Sequence, residues 1–298
     1  MRCKKRLIQV SIGLAFSLFA SFSYAMEFAR FGGTFSMSGK IESGDAVEFI
    51  IQLVSWETPP TIFFIDSSGG DLGEAMQIGW AIRESQIPVW SGENCHSACV
   101  FIYAAGVERL ARGRVGLHRP YFPAEYFSGL TSVQAKEKYE DLEKESIGYL
   151  NEMGVNSSII ERIFQTGSSD IDVLSANEAN RLFGKRSAFY DEWLAARCGR
   201  LSPTEKDVID SWKNLEAARA TVKVYGDDTM PKTDSFGSNI SNLVSNSQLA
   251  LAMERTGNLS AYIALHKKHS GCLAKAADEH VYKFHRKIKR MYFGPELR

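Results

Sequence analysis

The sequence predicts an α/β domain followed by a helical extension. Three observations carry that reading. Between residues 26 and 120, short β-branched or aromatic runs alternate with stretches of helical period. The glycine-rich breaks fall after the predicted strands, where backbone N–H groups are exposed at helix starts. After about residue 196 the strand patterns stop and helix signals take over.

The elements follow in order. Thr34–Gly39 alternates and predicts a strand. Asp45–Trp56 places Val47, Ile50, Ile51 and Val54 on one helical face, with Ser43 or Asp45 as cap. Thr61–Ile65 is β-branched and aromatic, hence a buried strand, and Ser67-Ser68-Gly69-Gly70 ends it. A second helix carries Met76, Ile78, Trp80 and Ile82, with Asp71 near its start. Pro88-Val89-Trp90 opens another strand, Cys95–Cys99 is a turn, and Ala98–Ala105 is a buried helix. Val115–Leu117 is a short strand ending at His118. A long helix over 131–153 presents Tyr139, Leu142, Ser146, Leu150 and Met153 on one side and charges on the other. Shorter helices follow at Ile159–Phe164 and Ala176–Leu182. Ser202-Pro203-Thr204-Glu205 is a capping-box helix start, with Val208, Trp212, Leu215 and Val222 on its buried face. Residues 226–247 read as a long loop, and helices resume over 248–266 and 272–292.

The chain has 298 residues, with 35 basic and 35 acidic side chains. Arg2, Lys4, Lys5 and Arg6 precede an apolar run from Leu7 to about Phe22, then Ser23-Tyr24-Ala25. That order predicts a signal peptide over 1–25, cleaved after Ala25; an uncleaved anchor is the weaker alternative, because the run falls short of a spanning length. Cleavage leaves a net charge near −4, which argues against a general nucleic-acid binder. The expected organisation is a domain over 26–195 and an extension over 196–298, located in a bacterial periplasm. Cys95, Cys99, Cys198 and Cys272 survive processing, and an even number in an exported chain suggests disulfides.

The chemistry centres on ENCHSACVFIYAAG, residues 93–106. Ser97 stands at a strand-to-helix turn, where a serine is either a helix cap or a nucleophile. A nucleophile needs a base and oxyanion donors. His118, at the end of the next strand, is the candidate base. Gly69-Gly70, after the preceding strand, offers backbone N–H groups. His96 is disfavoured as base, because adjacent side chains in extended structure point apart. Cys95, His96 and Cys99 do not match a common zinc spacing, and Cys-x3-Cys is not a thioredoxin-like site. No metal and no cofactor is expected.

Ile65-Asp66-Ser67-Ser68-Gly69-Gly70, then Ser97-Ala98, then Gly116-Leu117-His118-Arg119-Pro120 resembles the Clp-type serine peptidase pattern of the crotonase-like superfamily. The resemblance covers about residues 33–185 and is closest to the exported Clp-like proteins. It implies a spiral of ββα units and a Ser-His-Asp triad. Ser97 matches the nucleophile, His118 the base, and the N–H groups of Gly70 and Ala98 the oxyanion hole. The acid precedes Leu174-Ser175-Ala176; Asp172 is the first choice and Asp170 the alternative. Ser68 replaces the family's usual proline, and Asp66 and Asp71 add carboxylates expected to face solvent or cap the helix. The implied function is an ATP-independent serine peptidase acting on peptides or proteins, compatible with a homo-oligomer and with no ATPase partner. The alternative is a catalytically weak binding or assembly module. Acyl-CoA chemistry is disfavoured in an exported chain.

Two further expectations concern the cross-links and the extension. The disulfides are expected as Cys95–Cys99 and Cys198–Cys272. The run Lys283, Arg286, Lys287, Lys289, Arg290, interleaved with Tyr282, Phe284, Tyr292 and Phe293, is either a solvated face with its aromatics packed inward or a contact with an anionic membrane.

Overall fold

A computed structural model describes residues 26–184, 186–203, 205 and 259–293. The expected signal peptide lies outside these residues, as do most of the helix after Ser202, the 226–247 loop and the start of the helix at 248. The Ser202 capping box is formed: the Ser202 hydroxyl accepts from the Glu205 N–H at 3.2 Å, and the Glu205 carboxylate accepts from the Ser202 N–H at 2.8 Å.

The fold is α/β. Seven strands form one sheet: β1 (Glu27–Phe31), β2 (Thr34–Ser38), β3 (Ile62–Ser67), β4 (Val89–His96), β5 (Arg109–Ala111), β6 (Arg114–Leu117) and β7 (Asp172–Leu174). The spatial order is β1-β2-β3-β4-β6-β7, with β5 beside β4. The central pairs are parallel, and β1 and β7 run antiparallel at the two edges. Helices α1 (Asp45–Ser55), α2 (Leu72–Ser85) and α3 (Cys99–Ala105) make the connections between the parallel strands, as a parallel sheet requires. Strands β1, β5 and β7 were not expected. β5 and β7 have three residues each, too short for a sequence period to declare itself.

Helix α1 is rotated from the expected face. Val47 and Ile51 are 60% and 43% exposed, while Ala46, Phe49, Leu53 and Val54 face inward. Phe49 decides the rotation. Its ring packs 5.3 Å from Phe35 and 5.5 Å from Phe63, and the aromatic side chain claims the inward position. Neither expected cap is used, since Gly44 occupies the N-cap position.

After β6 come α4 (Ala124–Phe127), α5 (Ser132–Glu152), α6 (Ser157–Gln165), α7 (Ala176–Phe183) and α8 (Ala188–Cys198). Thr131 and Gln134 close a capping box on α5. Only the last two turns of α5 are buried, through Ser146, Tyr149 and Leu150; its first half stands in solvent.

Arg109 is the largest fully buried side chain among the described residues, and it is held by backbone carbonyls alone. It donates to Gly106 O at 3.0 Å, Phe183 O at 2.9 Å and Met153 O at 2.7 Å. These carbonyls stand at the C-terminal ends of α3, α7 and α5. Arg83 adds bonds to Met153 O and Ala104 O. Three negative helix ends thus converge on two guanidinium groups.

The extension packs onto this domain. The chain predicts two helices over 248–266 and 272–292; instead one helix, α9 (Leu259–Phe293), runs through the expected break. Gly271 is tolerated inside it, because packing outweighs the roughly 1 kcal/mol that a mid-helix glycine costs. Val281, Phe284 and Ile288 join the main core, and Cys198 of α8 is bonded to Cys272 of α9. Both expected disulfides are present, with Cα separations of 5.2 Å (Cys95–Cys99) and 5.8 Å (Cys198–Cys272). Two disulfides fit an oxidising compartment. Among the described residues, no helix is long and apolar enough to cross a membrane.

Candidate active site

Ser97 follows the last residue of β4 and precedes α3 by one residue. Its φ is 58°, in the left-handed region that few non-glycine residues occupy. Strained positions of this kind cluster at functional sites. Three constraints hold the turn. The Ser97 N–H donates to Gly116 O on β6 at 2.9 Å. Cys95 and Cys99 bridge across it, both fully buried. Gly69 presses on it from the β3 side: a Cβ there would stand 2.6 Å from the Ser97 Cβ and 2.7 Å from His96 O.

The Gly69-Gly70 loop is locked in turn against Ile41. Ile41 N–H donates to Gly69 O, and Asp71 N–H donates to Ile41 O, both at 2.9 Å. Gly70, at φ 143°, has no room for a Cβ because Ile41 O occupies that space. The Gly70 and Ala98 N–H groups have no hydrogen-bond acceptor among the described residues. Both residues line one cleft of about 1130 Å³, together with Ser97 and His118. The cleft is walled by Met76 and Phe101 on the core side and by Tyr121, Phe122 and Tyr126 around α4. Phe122 and Tyr126 stack at 4.2 Å.

His118 is half-buried, and its Nδ1 lies 3.0 Å from Arg119 O. A carbonyl oxygen only accepts, so Nδ1 donates and Nε2 is left as the basic nitrogen. Among the described residues no hydrogen bond joins His118 to Ser97. In ligand-free sites such bonds commonly tighten only with substrate bound.

Neither candidate acid is hydrogen-bonded to His118. Both Asp172 oxygens are taken by Arg162, at 2.7 Å to Nε and 2.9 Å to Nη2, and Glu178 holds the same guanidinium at 3.0 Å. These two carboxylates push the Arg162 pKa up. Asp170 is exposed in the turn before β7. Leu117 is paired with Asp172, so the residue across from His118 is Ile171. The Ile171 Cδ1 would stand 2.5 Å from a Cβ at Gly116.

The remaining polar groups have structural places. Asp71 Oδ1 accepts from the Glu74 N–H and caps α2, and Asp66 Oδ2 accepts from the Glu93 N–H. His96 packs over Gly116 with its Nε2 buried and unpartnered among the described residues. Burial, the Arg114 charge and the His118 charge lower its pKa, against an opposing pull from Asp66. Sequence reasoning placed Gly69 in the site but missed its close approach to Ser97, and it missed Ile41 and the Arg119 carbonyl. The double glycine was the visible signal for the first; the other two act through backbone atoms and leave no side-chain signature.

No family model matches this chain, and no curated protein matches it.

Proposed function

We propose that the chain is an exported, ATP-independent serine peptidase with a Clp/crotonase-like spiral domain. The supporting observation is the strained Ser97 turn beside two unpaired N–H groups, in the cleft that also holds His118. In this reading His118 Nε2 takes the Ser97 proton as Oγ attacks a peptide carbonyl. The negative oxygen is stabilised by the Gly70 and Ala98 N–H groups. The imidazolium then gives its proton to the leaving amine, and water hydrolyses the acyl-serine by the same route. The Arg119 carbonyl fixes the imidazole in place of a carboxylate. The test is labelling by a fluorophosphonate probe. Ser97→Ala is expected to abolish labelling while the fold survives, and His118→Ala to reduce it severely.

A second reading is favoured by one observation: the carboxylate of Asp172 is bound to Arg162 instead of His118. In that reading the domain binds peptides without cleaving them. Folded, oxidised protein that neither labels nor cleaves a broad peptide library supports it over the first.

A further inference from the structure

The buried face of α9 carries Val281, Phe284, His285 and Ile288. The face turned away from the domain carries Lys283, Arg286, Lys287 and Arg290, spaced i, i+3, i+4 and i+7. All four are exposed and line one shallow groove along the helix. Lys287 stands 3.9 Å from Glu84, with both side chains well exposed, so that pair neutralises little. Lys283, Arg286 and Arg290 have no carboxylate within ion-pair distance among the described residues. From residue 280 to 293 the helix contains no acidic residue. The carboxylates nearest in sequence are Asp278 and Glu279, and Glu279 is paired with Arg197.

A solvated helix face ordinarily mixes both signs. Here one sign is gathered on a stripe of a chain whose acidic and basic residues balance overall. Tyr282 and Met291, 45% and 70% exposed, flank the stripe. Basic residues bordered by exposed apolar side chains match the headgroup region of an anionic bilayer, where charge attraction and shallow apolar insertion add. We propose that this face of α9 docks the protein onto an anionic lipid surface. A soluble polyanion would use the cations and gain nothing from Tyr282 and Met291. The docking is independent of the chemistry at Ser97.

The test is co-sedimentation of the full chain with vesicles of phosphatidylcholine, alone or containing phosphatidylglycerol. The variant is the full chain carrying Lys283→Gln, Arg286→Gln, Lys287→Gln and Arg290→Gln. Any contribution from the basic N-terminus is common to both proteins. The four side chains face solvent, so an unchanged melting temperature certifies the variant. Each cation near such a surface is worth roughly fivefold in partitioning. Wild type is expected to bind phosphatidylglycerol vesicles at least tenfold better than the variant. Raised salt is expected to remove that difference. Tyr282→Ser with Met291→Ser is expected to weaken binding further at constant charge. Equal binding by wild type and the four-residue variant overturns the proposal. So does binding to soluble polyphosphate with none to phosphatidylglycerol vesicles.

Discussion

Gly69 lies against Ser97 so closely that any side chain there would displace the serine: a Cβ would meet the Ser97 Cβ at 2.6 Å and the Ala98 nitrogen at 3.1 Å. The glycine also has φ 99°, a conformation that L-residues rarely adopt. Gly69→Ala is therefore expected to cost about 1–3 kcal/mol of stability. It is also expected to cut fluorophosphonate labelling of Ser97 at least tenfold, since displacements near 1 Å at a reacting centre are worth about 100-fold. A urea melt and a labelling time course check the two effects separately. Labelling at the wild-type rate would show that the contact does not position Ser97.

Asp172 and Arg162 give the second prediction. Loss of an engaged triad acid typically costs roughly 10⁴-fold in turnover. The Asp172 carboxylate instead serves an ion pair whose partners are each about a third exposed. Asp172→Asn is expected to reduce Ser97 labelling less than tenfold and to lower stability by about 0.5–1 kcal/mol, the worth of a partly exposed pair. Asp170→Asn is expected to change neither. A loss near the triad value in either variant would identify that residue as the acid, recruited once the site is occupied.

Arg109 carries the third. Its three carbonyl partners are the ends of three different helices, and the side chain is fully buried. Burial lowers its pKa, so the helix ends are what keep the charge tolerable. Arg109→Met keeps most of the volume but leaves three buried acceptors without this donor. The expected loss is about 3–5 kcal/mol, read from the urea midpoint. A loss below about 1 kcal/mol would mean that water takes over the three carbonyls.

What was legible in the sequence was whatever a local pattern could carry. The long helix α5 appears as expected, and the structure adds the Thr131–Gln134 box that caps it. The two disulfides appear as paired, and Ser97 and His118 meet in one cleft. The rotation of α1 was not legible, because it depends on Phe35 and Phe63 from distant strands packing around Phe49. The role of Arg109 was equally hidden, since a backbone carbonyl looks the same in every sequence. The residue opposite His118 was concealed by a three-residue edge strand, which fixes Ile171 there only through its register with β6. The charged stripe on α9 was visible, but which aromatics turn inward was decided by the core: Phe284 packs and Tyr282 does not.

His285 gives the last prediction, a pH dependence for the docking of α9. Its ring is buried against α1, and Nε2 lies 3.2 Å from Leu53 O. Leu53 is in the last full turn of α1, so the imidazole caps a helix end. Burial lowers its pKa below the ordinary 6.5 and the neighbouring Lys289 charge adds to this, while the Leu53 carbonyl pulls the other way. The folded state therefore holds the neutral ring more firmly than the unfolded state does. Below pH 6.5 the unfolded chain binds the proton first, so stability falls as the pH drops from 6.5 toward the lower folded value. Above 6.5 both states are neutral and this contribution is constant. His285→Gln keeps a donor for Leu53 O but cannot titrate. Its melting temperature is expected to drop less than that of wild type between pH 7.5 and 5. In wild type, proteolysis of α9 is expected to quicken over the same interval before the strands of the sheet are cut. Parallel pH profiles for the two proteins would remove His285 as the cause of acid lability. Burial raises the pKa of Asp45, so the folded state takes up its proton before the unfolded state does. Protonation of Asp45 therefore favours the folded state as the pH falls and works against the loss at His285.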